Sequence, residues 1–140
     1  MHAEHLRDVR LGTVALGWFI AAAVTSLAVF AMIAVGLLMS DGTGGTAWGL
    51  LATAAGFFAG GWFAGWRACR APILHAVAIG LFSLVLWVLA NLVVGQAVGI
   101  HTWEVGAAYV AGLVLLQIVA AAIGGHLGSR DARRASAGAS

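Results

Sequence analysis

Four apolar stretches divide the chain, running from about Leu11 to Met39, Thr46 to Trp66, Pro72 to Val98 and Trp103 to Leu127. Each reaches the roughly 20 helical residues that cross a bilayer. Only Ser40 to Gly45, Arg67 to Ala71 and Gly99 to Thr102 lie between them. Such short connections hold no domain and make consecutive helices antiparallel neighbours. The pattern predicts an all-α integral membrane protein, an up-down-up-down four-helix bundle forming one domain over residues 1–128. The segment 129–140 is small, polar and Arg-bearing, and is expected to be a disordered cytoplasmic tail. The first stretch is too long for a signal-peptide core and ends without a small-residue cleavage site, so it reads as a retained span.

Small and polar residues recur within these stretches at steps of three and four. In lipid, burying apolar area gains little, and helices associate through close packing of small residues and through interhelical hydrogen bonds. The first span offers Thr13, Gly17, Ala21, Val24, Ala28 and Ala31, and the second Gly49, Ala52, Gly56 and Gly60, with Gly61-x-x-x-Gly65 turning away. The third offers Ala76, Gly80, Ser83, Trp87 and Asn91, and the fourth Gln117, Ala121, Gly124 and Gly128. Gly17, Gly49, Gly56, Gly60, Gly80, Gly112, Gly124 and Gly128 are the expected packing positions, a glycine-zipper arrangement. The same stripe could instead dimerise the protein.

Composition agrees with this reading and narrows it. The chain of 140 residues is 62% hydrophobic and 9% charged, with a mean hydropathy of +1.01. Soluble domains carry about 25% charged residues, so a soluble enzyme and a nucleic-acid-binding domain are both excluded. All the basic charge is arginine. Arg7 and Arg10 precede the first span, Arg67 and Arg70 follow the second, and Arg130, Arg133 and Arg134 follow the fourth. With four spans, all three groups fall on one side, while the loops opposite carry only Asp41 and Glu104. The positive-inside rule puts the arginines and both termini in the cytoplasm, with Trp48 and Trp103 at the outer interface and Trp66 at the inner one. The lone Cys69 is then cytoplasmic and reduced.

The two halves also resemble each other. Val14 to Phe19 corresponds to Val77 to Phe82, and Gly49-Leu50 to Gly112-Leu113, at an offset of 63. Gly60-Gly61, Gly65, Arg67 and Arg70 correspond to Gly124-Gly125, Gly128, Arg130 and Arg133 at 63 or 64. Chance matches abound in such a composition, and it is their agreement at nearly one offset that raises a duplicated helical hairpin. Both halves would begin on the same side, making a parallel repeat about an axis along the membrane normal. That is unlike the inverted repeats of many transporters.

Chemistry is sparse. Gln117, Ser83 and Thr25-Ser26 fall at similar mid-membrane depth, with Asn91 and Thr53 nearer the outside. These polar groups read as packing contacts or, alternatively, as a path for a small solute. Apart from Glu104 at the outer edge of the fourth stretch, no Asp, Glu, Lys or Arg lies within a span, and such residues usually mark ion and proton routes. His75 and His126 share a depth near the inner face, which raises a bis-His haem or a pigment. Helical angles oppose it, since His126 lies about 180° from Gln117 at 100° per residue, and His75 is also off the small-polar stripe. Both therefore read as structural, pointing away from the bundle. Cys69 lies among arginines that would lower its pKa, yet no base or acid accompanies it. A non-enzymatic protein with no cofactor and no metal is expected.

The stretch Gly56-Phe-Phe-Ala-Gly-Gly-Trp-Phe-Ala-Gly-Trp-Arg, continuing through Arg70 and then Ile73-Leu74-His75-Ala76 and Gly80, resembles the YrzE-like family of small bacterial membrane proteins. In that family a Gly-rich second helix ends in a basic turn and a Leu-Leu-His-Gly sequence opens the third. Ala76 stands here where the family has Gly. The resemblance covers about half the chain and implies four transmembrane helices in the bacterial cytoplasmic (inner) membrane, with no assigned activity. A small multidrug exporter needs a Glu in its first helix, dual-topology fluoride channels lack a strong charge bias, and quinone-coupled thiol oxidoreductases need paired cysteines. None of these fits. The expected role is an accessory or scaffolding subunit of a membrane assembly, its partners the bilayer and another membrane protein or a second copy, with no nucleic acid. A small permeation protein using the Gln117 layer is the alternative.

Overall fold

A computed structural model of the chain describes residues 11–37, 43–68, 71–90, 92–93 and 107–138. It contains the helices α1 (Leu11–Ala34), α2 (Thr43–Ala68), α3 (Pro72–Ala90) and α4 (Ala107–Ala137), and no strand among the described residues. All four helices are long and apolar enough to cross a membrane. Helix is the form such runs must take in hydrocarbon, because each segment then satisfies its own backbone groups.

Local chemistry sets the ends. At the end of α1, Gly36 adopts a φ of 81°. Its N–H donates to Ile33 O at 2.9 Å and that of Leu37 to Met32 O at 2.9 Å. This Schellman closure needs a left-handed residue, which glycine supplies without a Cβ clash. The apolar run expected to continue helical to Met39 therefore stops at Ala34, with Leu38 and Met39 outside the described residues. Pro72 opens α3 at the one helical position where a missing N–H costs nothing. Val94 to Val98 of the expected third span, Trp103 to Gly106 of the expected fourth, Ser40 to Gly42, Gly99 to Thr102 and Asn91 lie outside the described residues, as do Arg7, Arg10, Cys69 and Arg70.

The fourth helix brings a correction. Residues 129–137, expected to be disordered, are helical and continue α4 to Ala137. Two anchors explain why. Ser129 is fully buried, and the indole Nε1–H of Trp62 on α2 donates to Asp131 Oδ2 at 3.2 Å. A polar, Ala- and Arg-rich sequence with such contacts has good helix propensity and a place to dock.

Glycines bring the helices together, and α2 uses two faces to do it. On one, a Cβ at Gly60 would collide with Gly17 O, and one at Gly56 with Thr25 Oγ1 and Ala21 O. These pairs run in opposite sequence directions, so α1 and α2 are antiparallel. On the other, a Cβ at Gly61 would fall on the Ala121 carbonyl and one at Gly65 on that of Gly125. Reciprocally, Gly124 is pressed against Phe58 O and Gly128 against Trp62 O. These pairs ascend together, so α2 and α4 are parallel. Adding 63 to the α2 member and subtracting 63 from the α4 member converts Gly61–Ala121 into Gly124–Phe58 and Gly65–Gly125 into Gly128–Trp62. The α2–α4 contact is thus self-complementary, as across a two-fold axis.

The other helices complete the bundle. The ring of Trp18 on α1 meets that of Phe82 on α3 edge to face at 5.7 Å, and Gly80 on α3 lies against Ile118 of α4. Helices α1 and α4 make no contact among the described residues, leaving α2 and α3 between them. The core is small: Val14, Ala21, Phe57, Ala64, Ala76, Ile79, Ala120 and Ala121. Large apolar side chains such as Phe19, Phe30, Leu81 and Leu115 point outward, the arrangement a lipid-facing surface requires. The expectation fails at two glycines. Nothing would meet a Cβ at Gly49 or Gly112 within 4 Å, because both lie near the N-terminal ends of α2 and α4, where the backbones have not converged.

Leucine at Gly61 or Gly124, and at Gly56 or Gly60, should lower the melting temperature in detergent by about 5 °C or more, since the colliding atoms are largely backbone. Leucine at Gly49 or Gly112 should leave it within about 2 °C. Equal effects in the two groups would contradict this packing.

Candidate functional site

The polar residues expected at mid-membrane depth divide between two clefts. Thr25 lies between α1 and α2 beside Gly56, its Oγ1 buried with no hydrogen-bond partner. Gln117 lies on the far side of α2, lining with Ser83, Trp87 and Tyr109 a groove of about 240 Å³ between α3 and α4. The single layer expected from depth is therefore only partly assembled. Ser83 and Gln117 are brought together, Thr25 is separate, and Ser26 is exposed. Thr53 serves its own helix, donating to Gly49 O at 2.9 Å. Depth along a helix is legible in sequence, but which cleft a residue enters depends on the crossing of α2 with α4. Gln117 is 7% exposed, and its Oε1 has no partner.

The histidines separate as well. His75, expected to point away from the bundle, is 1% exposed. Helix α3 touches α1, α2 and α4, so its buried face is wider than the Ala76–Gly80–Ser83 stripe and takes in His75 and Ile79. The His75 Nδ1 lies 3.1 Å from Ala71 O. Its partner is a carbonyl, so Nδ1 donates the hydrogen, and Nε2 is left to find its own partner. That Nε2 is buried without a partner. The same carbonyl accepts from the backbone N–H groups of Leu74 and His75 at 3.1 and 3.3 Å, so one oxygen ties the imidazole to the first turn of α3. Ala71 itself has a φ of 48°, rare for a residue with a Cβ. His126 is exposed on α4, so the two rings occupy different environments and do not form the facing pair a bis-His haem requires. No cluster of three metal-ligating side chains occurs among the described residues.

The second concavity, about 560 Å³, is lined by His126, Arg130, Arg133 and Arg134 on the last turns of α4. In the sequence these arginines mark topology and ordinary anchoring to anionic headgroups, without a common face, because a disordered tail has none. As a helix, spacings of four, seven and eight residues put them on one side. Arg133 is held by its own helix, donating from Nε to Ser129 O at 3.2 Å. Comparison with family models, with curated proteins and with solved structures finds no match to this chain.

Gln117→Leu removes a buried acceptor that nothing satisfies, and should leave the melting temperature unchanged or raise it by a few degrees, about 1 kcal/mol. A fall of comparable size would show that the amide holds a partner.

Proposed function

We propose that this protein is a non-enzymatic, multi-pass subunit of a membrane assembly, accessory or scaffolding in role, in the bacterial cytoplasmic membrane. The observation that carries the reading is the α2–α4 contact. Backbone meets backbone at Gly61, Gly65, Gly124 and Gly128, which leaves no room for a solute along that seam. The polar groups that a path would need lie on opposite sides of it, Thr25 in one cleft and Gln117 in the other. The outward faces offer broad apolar surface to lipid, to another membrane protein or to a second copy.

The directions of the contacts support an up-down-up-down course, and the arginine distribution supports cytoplasmic termini. The self-complementary α2–α4 contact at the offset of the sequence correspondences supports an origin by duplication of one hairpin. A permeation role has one observation in its favour, the meeting of Ser83 and Gln117 in one groove. That groove is lined mainly by apolar side chains and holds no ionisable group within the span other than Tyr109.

Native mass spectrometry of protein extracted gently from its own membrane should show added mass equal to a second polypeptide, in fixed stoichiometry. A bare monomer would contradict the subunit reading, and liposome flux abolished by Gln117→Leu would replace it with permeation.

A further inference from the structure

A hydrocarbon core about 30 Å thick is crossed by about 20 helical residues. Counted from Ala107, it ends near His126, and α4 continues to Ala137. Arg130 then stands about 6 Å beyond the hydrocarbon edge, within the headgroup layer, and Arg134 about 12 Å beyond it, past that layer but on a side chain long enough to reach back. Three guanidiniums and the His126 imidazole surround a concavity of about 560 Å³ on one face. Among the described residues, no hydrogen bond or ion pair is made by the Arg130 or Arg134 side chain. Asp131, the one acid of this extension, is turned toward α2 by its bond from Trp62 and does not neutralise that face. Arg133 reaches back to Ser129 O and Oγ, at 3.2 and 3.5 Å, which fixes one wall.

The result is a concentration of positive charge on one helical face beside the lipid phosphates, with Arg133 held to Ser129 and Arg130 and Arg134 unpaired. Guanidinium forks match phosphate oxygens geometrically as well as electrostatically. We propose that the α4 extension is a phosphate-anion site, formed by His126, Arg130, Arg133 and Arg134, and that an anionic phospholipid headgroup occupies it. The inference is independent of the subunit reading, since it concerns one face of one chain.

The pseudo-two-fold relation supplies a control. Arg67 corresponds to Arg130 at the offset of 63 and so lies on the opposite side of the α2–α4 pair. Thermal melts of the intact, detergent-purified protein would be titrated with phosphatidylglycerol, phosphatidylcholine and inorganic phosphate. Phosphatidylglycerol should raise the melting temperature by about 5 °C at saturation, and phosphatidylcholine should not. Arg130→Gln and Arg134→Gln should each weaken that response about fivefold in lipid concentration. Arg67→Gln, with the same change in net charge, should move it less than about twofold. A rise given by inorganic phosphate with the same dependence on Arg130 and Arg134 would also support the site, with the free anion as its source. Equal weakening by all three substitutions would reduce the effect to net charge and overturn the proposal, as would a melting temperature indifferent to both anions.

Discussion

The fold depends on how closely two backbones can approach where water is not available to drive them together. Between lipid-solvated helices, apolar burial gains little, and association rests on dispersion contacts and a few polar ones. Both weaken steeply with separation, so a missing Cβ at the crossing matters more than a large side chain beside it. Helix α2 carries that economy furthest. Its Gly56 and Gly60 receive α1, while Gly61 and Gly65 receive α4. A run that reads as one glycine-rich motif is thus two contact faces about 140° apart.

Other features follow from the α2–α4 seam. It divides the polar residues, sending Thr25 to one cleft and Gln117 to another. It also brings Trp62 within reach of Asp131, and through that bond the seam extends past the apolar span. The basic residues beyond the apolar span therefore sit on a helix with a defined face. The buried acceptors left without partners, Thr25 Oγ1, His75 Nε2 and Gln117 Oε1, all lie among packed helices. None belongs to the basic face, so packing and anion recognition occupy separate parts of the molecule.

Much of this was legible in the order of residues. Four spans could be read from apolar length alone, and six of the eight packing glycines from their spacing. The offset of 63 was visible too, although Gly60-Gly61 aligns with Gly124-Gly125 only at 64, whereas the reciprocal contacts make Gly61 the equivalent of Gly124. The misses have physical causes. Gly36 was hidden inside an apolar run, because hydropathy does not register a left-handed cap. Gly49 and Gly112 obey the same spacing as true contacts, but a periodic stripe does not reveal where two axes diverge. His75 is buried because α3 meets three helices, a fact of assembly rather than of one helix's pattern. The helical course of residues 129–137 depends on a tryptophan 69 positions away, which no local reading includes.

The central claim is the reciprocal register of α2 and α4, and solid-state NMR of the protein in lipid bilayers tests it most directly. Backbone contacts should be found between Gly61 and Ala121 and also between Gly124 and Phe58, the two related by the shift of 63. Finding one contact without the other, or neither while both helices remain intact, would contradict the account.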